Sequence, residues 1–204
     1  CGRPLISKGI LDKAKDLAKA NIDILLPYVR RGAVIVGTEP SCLLTFRDEY
    51  MDLLGDDSAA LLAKNTFMLD EFLAQVLAED PDASNVFNEE SLDTLQLHGH
   101  CHQKALMGMK PTIEILERAG YKVELVDAGC CGMAGAFGFE DEHYNLSRAM
   151  GAYKLFPTLE ADESISKRVA VTGMSCRQQI DHFTFKQPRH VVEYLAEAIN
   201  TDSK

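Results

Sequence analysis

The chain has 204 residues, of which 46% are hydrophobic and 25% charged, and its net charge is −10. That length and balance suit one globular domain or two small lobes around a buried core. The negative charge argues against nucleic acid, whose phosphates require clustered Lys and Arg, and against docking on anionic lipid.

In chain order, the spacing predicts a helix over 11–29, with Leu11, Ala14, Leu17, Ala18, Ile22, Leu25 and Leu26 on one face. Ala33-Val-Ile-Val36 reads as a buried strand ending at Gly37. Residues 43–54 and 67–77 read as amphipathic helices. The polar, acidic stretch 79–94, with Pro81, reads as a surface connection between lobes. The second part repeats the alternation: strands at 94–97, 122–126 and 169–171, and helices at 111–119, 140–155 and 189–199. Short strands alternating with helices predict an α/β fold of mostly parallel sheets with flanking helices. No apolar run reaches the roughly 18 residues that span a bilayer. In such sheets function gathers in loops at the carboxyl ends of strands. Cys42, Cys101, Cys130 and Cys176 each follow one of the four predicted strands.

An internal repeat is also visible. Cys1-Gly2 opens a loop and helix, and the strand ending at Gly37 leads to Ser41-Cys42. Cys131-Gly132 opens a loop and helix, and the strand before Gly173 leads to Ser175-Cys176. The separations are 41 (42 − 1) and 45 (176 − 131). Two pseudo-repeated lobes are therefore expected. Residues 1–92 hold the back half of a first repeat plus connecting helices, and 93–204 form a complete second repeat. The first residue is Cys, so the chain is expected to be a piece of a longer protein that supplies the missing half.

The chemistry lies in Asp127-Ala-Gly-Cys-Cys-Gly-Met-Ala-Gly-Ala-Phe-Gly138. Adjacent thiols on a glycine-rich turn make poor core and bridge each other only with strain, but serve well as two ligands of one metal centre. With Cys101 and Cys176 they form a four-thiol set with gaps of 29 (130 − 101) and 45 (176 − 131). Four thiolates suit an iron–sulfur cluster or tetrahedral zinc. Zinc knuckles of the Cys-x2-4-Cys type are missing, although a mixed site using His100 or His102 is open. Redox exchange by the vicinal dithiol is a third reading. Cysteine in such a role implies a reducing, cytoplasmic compartment. His98, His100 and His102 alternate along an extended segment and would project to one side, with Cys101 opposite if the strand continues. They are candidates for ligands, donors to sulfur, proton carriers or plain solvated side chains. His190 stands where it would cap or pack at the start of the last helix. The glycines at 132, 135 and 138 match neither the Walker loop nor the dinucleotide fingerprint.

Gly99-His-Cys-His-Gln-Lys-Ala105, Gly129-Cys-Cys-Gly-Met-Ala-Gly135, Gly173-Met-Ser-Cys-Arg177, and Glu39-Pro-Ser-Cys42 with Arg47 and Glu49 resemble the cysteine-rich CCG domain family. That family includes the cysteine-rich subunit of heterodisulfide reductase and the iron–sulfur subunit of glycolate oxidase. The chain looks most like the carboxy-terminal iron–sulfur part of FAD-linked 2-hydroxyacid (D-lactate type) dehydrogenases. The resemblance implies that Cys101, Cys130, Cys131 and Cys176 ligate a 4Fe-4S cluster, and that Cys1 and Cys42 are later ligands of a first repeat. Arg177-Gln178-Gln179 follows Cys176 where some members carry a further Cys, which points to an ordinary four-ligand cluster. The implied role is an electron-transfer module of a flavin-linked oxidoreductase acting on a small 2-hydroxy acid of the D-lactate or glycolate type, with FAD in the upstream part. Its partners would be a flavin-binding domain or subunit and an acceptor, either a quinone or a carrier protein, in the cytoplasm or peripherally at the inner membrane. Some members bind zinc in this region, so a non-redox zinc-binding or interaction domain is the alternative.

Overall fold

The computed structural model describes residues 1–80, 83, 86, 87, 92–135, 137–161 and 167–199. The expected surface connection over 79–94 lies largely outside the described residues. The chain divides into two units, Cys1–Leu69 and Asp70–Lys204.

The first unit contains α1 (Arg3–Ser7), α2 (Leu11–Val29), β1 (Ile35–Gly37), α3 (Pro40–Leu43), α4 (Glu49–Leu54), α5 (Asp57–Lys64) and β2 (Thr66–Met68). Helix α2 has the expected bounds but a narrower buried stripe. Ala14, Ala18, Ile22, Leu26 and Val29 are buried, whereas Leu11 and Leu17 are exposed. This stripe packs with Tyr50, Ala59 and Leu62 into the unit's core. Strand β1 is shorter than expected and not buried, with Val34 and Val36 exposed. It pairs in parallel with β2, Val36 opposite Phe67.

The single helix expected over 43–54 is broken into α3, a 3-10 turn at Leu44–Phe46, and α4. Local chemistry explains the break. The Glu39 carboxylate accepts the Ser41 N–H, and Pro40 occupies the first turn, so helix begins earlier than expected. The Thr45 hydroxyl donates to the Ser41 carbonyl at 2.8 Å, a back-bond that bends helices. Asp48 then leaves the helical region at φ −115°, ψ −84°. Phe67, expected to open a helix, lies in β2 instead.

The second unit contains α6 (Leu69–Glu79), β3 (Thr94–His98), α7 (Cys101–Leu106), α8 (Lys110–Arg118), β4 (Lys122–Leu125), α9 (Tyr144–Glu160), β5 (Lys167–Val171), α10 (Met174–Phe183), β6 (Arg189–His190) and α11 (Val191–Glu197). The sheet order is β4-β3-β5-β6, and every pairing is parallel. The predicted α/β class and parallel pairing are therefore present. A parallel sheet needs cover on both faces. On one face Leu95, Leu97 and Ala170 pack with Leu77, Ile115, Leu116, Val191, Tyr194 and Leu195, contributed by α6, α8 and α11. On the other, Val169 and Val171 pack with Leu155, Phe156, Leu159 and Ile180, contributed by α9 and α10.

Some expected boundaries shift. Strand β3 ends at His98, so the extended segment expected through His102 does not occur. A 3-10 turn at Asp141–His143 precedes α9, which runs on to Glu160. Arg189 and His190 form the short strand β6, and the last helix starts only at Val191. There the His190 ring accepts the Val192 N–H, and Glu193 accepts the His190 N–H. His190 is thus a helix cap.

Candidate metal centre

The thiols of the second unit all emerge at the carboxyl end of its sheet. Cys101 opens α7 immediately after β3, Cys130 and Cys131 lie in the loop after β4, and Cys176 sits in the first turn of α10 after β5. Several contacts hold these stretches together. The His100 N–H donates to the Thr172 hydroxyl at 2.8 Å, joining the end of β3 to the end of β5. An added Cβ at Gly173 would lie 2.6 Å from the His100 ring, so only glycine permits this approach. Lys104, one turn along α7 from Cys101, donates to the carbonyls of Ala128 at 2.5 Å and Gly129 at 3.2 Å. It therefore ties down the strand-end loop just before the Cys-Cys pair. Behind that pair, the buried Gln179 amide donates to the Ser147 carbonyl and hydroxyl, at 3.1 and 3.0 Å, fixing α10 against α9.

The four thiols run as a chain of neighbours. Cys101 and Cys130 sulfurs are 4.0 Å apart. Cys130 interacts in turn with Cys131, and Cys131 with Cys176. Cys131 and Cys176 are buried, while Cys101 and Cys130 are partly exposed. Proton sharing alternates along this run. The Cys101 thiol donating to Cys130 draws the Cys130 pKa down, helped by the Cys131 thiol and by the Gly132 N–H at 3.3 Å. The same Cys130 contact, with burial, pushes Cys101 up. Cys131 is pushed up by Cys130, Cys176 and burial. Cys176 is held low by the Cys131 thiol and by the His98 ring beside it. The thiolate form, in which cysteine binds metal, is thus favoured at Cys130 and Cys176 by the donors around them.

The histidines separate into different roles. His98 is fully buried at the end of β3, and among the described residues neither ring nitrogen makes a hydrogen bond of standard geometry. The His100 ring caps α7 by accepting the His102 N–H. In the first unit, Cys1 and Cys42 form a separate pair with sulfurs 3.1 Å apart. The Tyr50 hydroxyl holds that end by donating to the Cys1 carbonyl and accepting from Asn21. Lys104, Thr172, Ser147 and Gln179 support the thiol loops and were not singled out from the sequence. Lys104 carried a signal, because it lies three residues from Cys101, but only once α7 is recognised as a helix.

A doubly covered parallel sheet with four thiols gathered at its carboxyl edge defines a cysteine-rich α/β domain. Residues 97–181 match the family model described as CCG, cysteine-rich domain. The chain is similar to curated proteins of several kinds. It is 32% identical over 194 residues to the D-2-hydroxyglutarate dehydrogenase of Escherichia coli (strain K12), covering 94% of this chain and 18% of that protein. It is 30% identical over 202 residues to one subunit of the anaerobic glycerol-3-phosphate dehydrogenase of the same strain, covering 98% of this chain and 49% of that protein. It is 27% identical over 146 residues to lactate utilization protein A of Bacillus subtilis (strain 168), covering 67% of this chain and 57% of that protein. The chain thus spans a fifth to little more than half of these relatives' lengths. Among the described residues no helix is long and apolar enough to cross a membrane.

Proposed function

We propose that this chain is the iron–sulfur electron-transfer part of a flavin-linked oxidoreductase acting on a small 2-hydroxy acid. One observation carries the reading: thiols from three separate stretches meet at one sheet edge, in contact with one another and partly screened from water. The donor set fits a metal centre. Four sulfurs supply the ligands, the Gly132 N–H already donates to one of them, and a buried imidazole lies beside another.

Cys101, Cys130, Cys131 and Cys176 would hold a 4Fe-4S cluster, which when bound supplies one-electron transfer. The chain's own groups do the rest. Lys104 and Thr172 hold the thiol-bearing loops in register. The apolar packing around Cys131 and Cys176, with Val171, Leu155 and Ile180, keeps water from that side. Cys1 and Cys42 would be ligands of a first-repeat centre whose other ligands come from elsewhere in the intact protein. The relatives' names mention 2-hydroxyglutarate, glycerol 3-phosphate and lactate, and each compound carries a secondary alcohol. The intact protein is accordingly expected to oxidise such an alcohol at an FAD in a partner domain or subunit, with electrons leaving to a quinone or carrier protein.

Anaerobic reconstitution with iron and sulfide tests the reading. Brown protein with broad absorbance near about 400 nm supports it, as does iron loss in Cys131→Ser. Colourless protein holding stoichiometric zinc, unchanged by reconstitution, refutes it in favour of a structural zinc domain.

A further inference from the structure

Strand pleating sends Leu95 and Leu97 of β3 to the face covered by α8 and α11. Gln96 and His98 therefore point to the opposite face. His98 pairs in register with Val171, which packs there with Cys131, Cys176, Leu155 and Ile180. The imidazole of His98 is thus enclosed in apolar packing beside a thiol. It is fully buried, and among the described residues neither Nδ1 nor Nε2 makes a hydrogen bond of standard geometry. An unsatisfied buried polar group costs roughly 1–3 kcal/mol. Nothing in apolar packing explains a histidine here, since leucine would fill the space without that cost.

The neighbouring histidines are engaged elsewhere. His100 caps α7, and His190 caps α11 while its Nε2 meets the Thr172 carbonyl at 3.0 Å. His98 is left facing Cys176. A thiolate bound to metal keeps negative charge on sulfur, and an N–H aimed at it favours the more electron-rich state.

Resting on the metal-centre reading above, we propose that His98 is the hydrogen-bond donor to the Cys176 thiolate of the loaded centre. It is a positioning residue, acting through that sulfur to set metal affinity and reduction potential rather than binding the metal itself.

The test compares wild type, His98→Leu and His98→Asn in the full chain, because asparagine keeps an N–H donor and leucine does not. After iron–sulfur reconstitution, His98→Leu is expected to keep wild-type iron content. Its oxidised-to-reduced ratio at a fixed applied potential should rise about tenfold, a fall of about 59 mV for one electron. His98→Asn should recover at least half of that shift. Unchanged potential in His98→Leu at full iron content overturns the proposal. So does an equal shift in both variants, which would mark a packing effect. If His98→Leu fails to hold iron, zinc affinity by chelator competition decides. The expected loss is about 10–100-fold in His98→Leu and no more than about threefold in His98→Asn; equal losses, or none, overturn the proposal. If wild type itself takes zinc and no redox-active iron, the electron-transfer reading falls, and the zinc affinities alone still judge His98.

Discussion

Gly132 follows the Cys-Cys pair with φ +107°, a backbone region that L side chains rarely enter. An added Cβ would collide with the Ser147 carbonyl oxygen, with Ser147 C and Gln179 Nε2 each 3.0 Å away. The first two obstacles are helix backbone and cannot swing aside. Gly132→Ala therefore combines about 1–3 kcal/mol of backbone strain with about 1–3 kcal/mol of overpacking. For a chain of this size the sum, about 2–6 kcal/mol, lowers Tm by roughly 5–20 °C. Gly129, three residues earlier, supplies the control. Its added Cβ would meet nothing within 4 Å, so Gly129→Ala should change stability by less than about 0.5 kcal/mol. Circular-dichroism melting of both variants, with bound metal measured in parallel, decides the matter. If Gly132→Ala melts with wild type and loads metal normally, the tight packing of this loop against α9 and α10 is wrong.

Lys104→Met should leave global stability within about 1 kcal/mol, because the lysine is only partly buried and its hydrogen bonds go to loop carbonyls. Hydrogen exchange at 128–132 should nevertheless accelerate, and metal release should be about tenfold faster. Gln103→Leu should cost roughly 1–3 kcal/mol in urea unfolding, since the Gln103 amide donates to buried Asp70 and lies 3.0 Å from the Thr112 hydroxyl. Glu197 supplies a pH test. Arg168 grips its carboxylate at 2.6 and 2.7 Å, and Arg189 adds a further contact, so its pKa is drawn from the usual 4.5 down to about 2. A lowered folded-state pKa means the stabilisation is present above about pH 4.5 and is lost as pH falls towards 2. Tm followed across that window should fall less steeply in Glu197→Gln than in wild type.

What was readable in the sequence was whatever the hydrophobic pattern controls directly. Helix α2 and strands β3, β4 and β5 follow from apolar runs, and the strand ends put four cysteines at one edge. The helices α7 and α10 were not readable. Cys-His-Gln-Lys-Ala-Leu carries no apolar face, and its helicity comes from the His100 cap and from buried Gln103. Strand β2 is three residues long and was absorbed into the following helix. At the site, the cysteine spacing announced a shared centre but not which sulfurs touch. The position of His98 was hidden for a related reason. It depends on β3 stopping at His98, where Gly99 lets the chain pass so close to Met109 that a Cβ would clash with the methionine sulfur. That is a three-dimensional constraint without local pattern.

Strand β3 lies between β4 and β5, and its partner residues His98 and Val171 are far apart along the chain. During synthesis, Cys101, Cys130 and Cys131 leave the ribosome well before Cys176. The 45 residues (176 − 131) between the last two occupy about 2–9 s at roughly 5–20 residues per second. For that interval three thiols are exposed to oxidants with their fourth companion unmade. If these thiols hold the proposed centre, metal delivered to the growing polypeptide would meet an incomplete set of donors until β5 has slotted in beside β3.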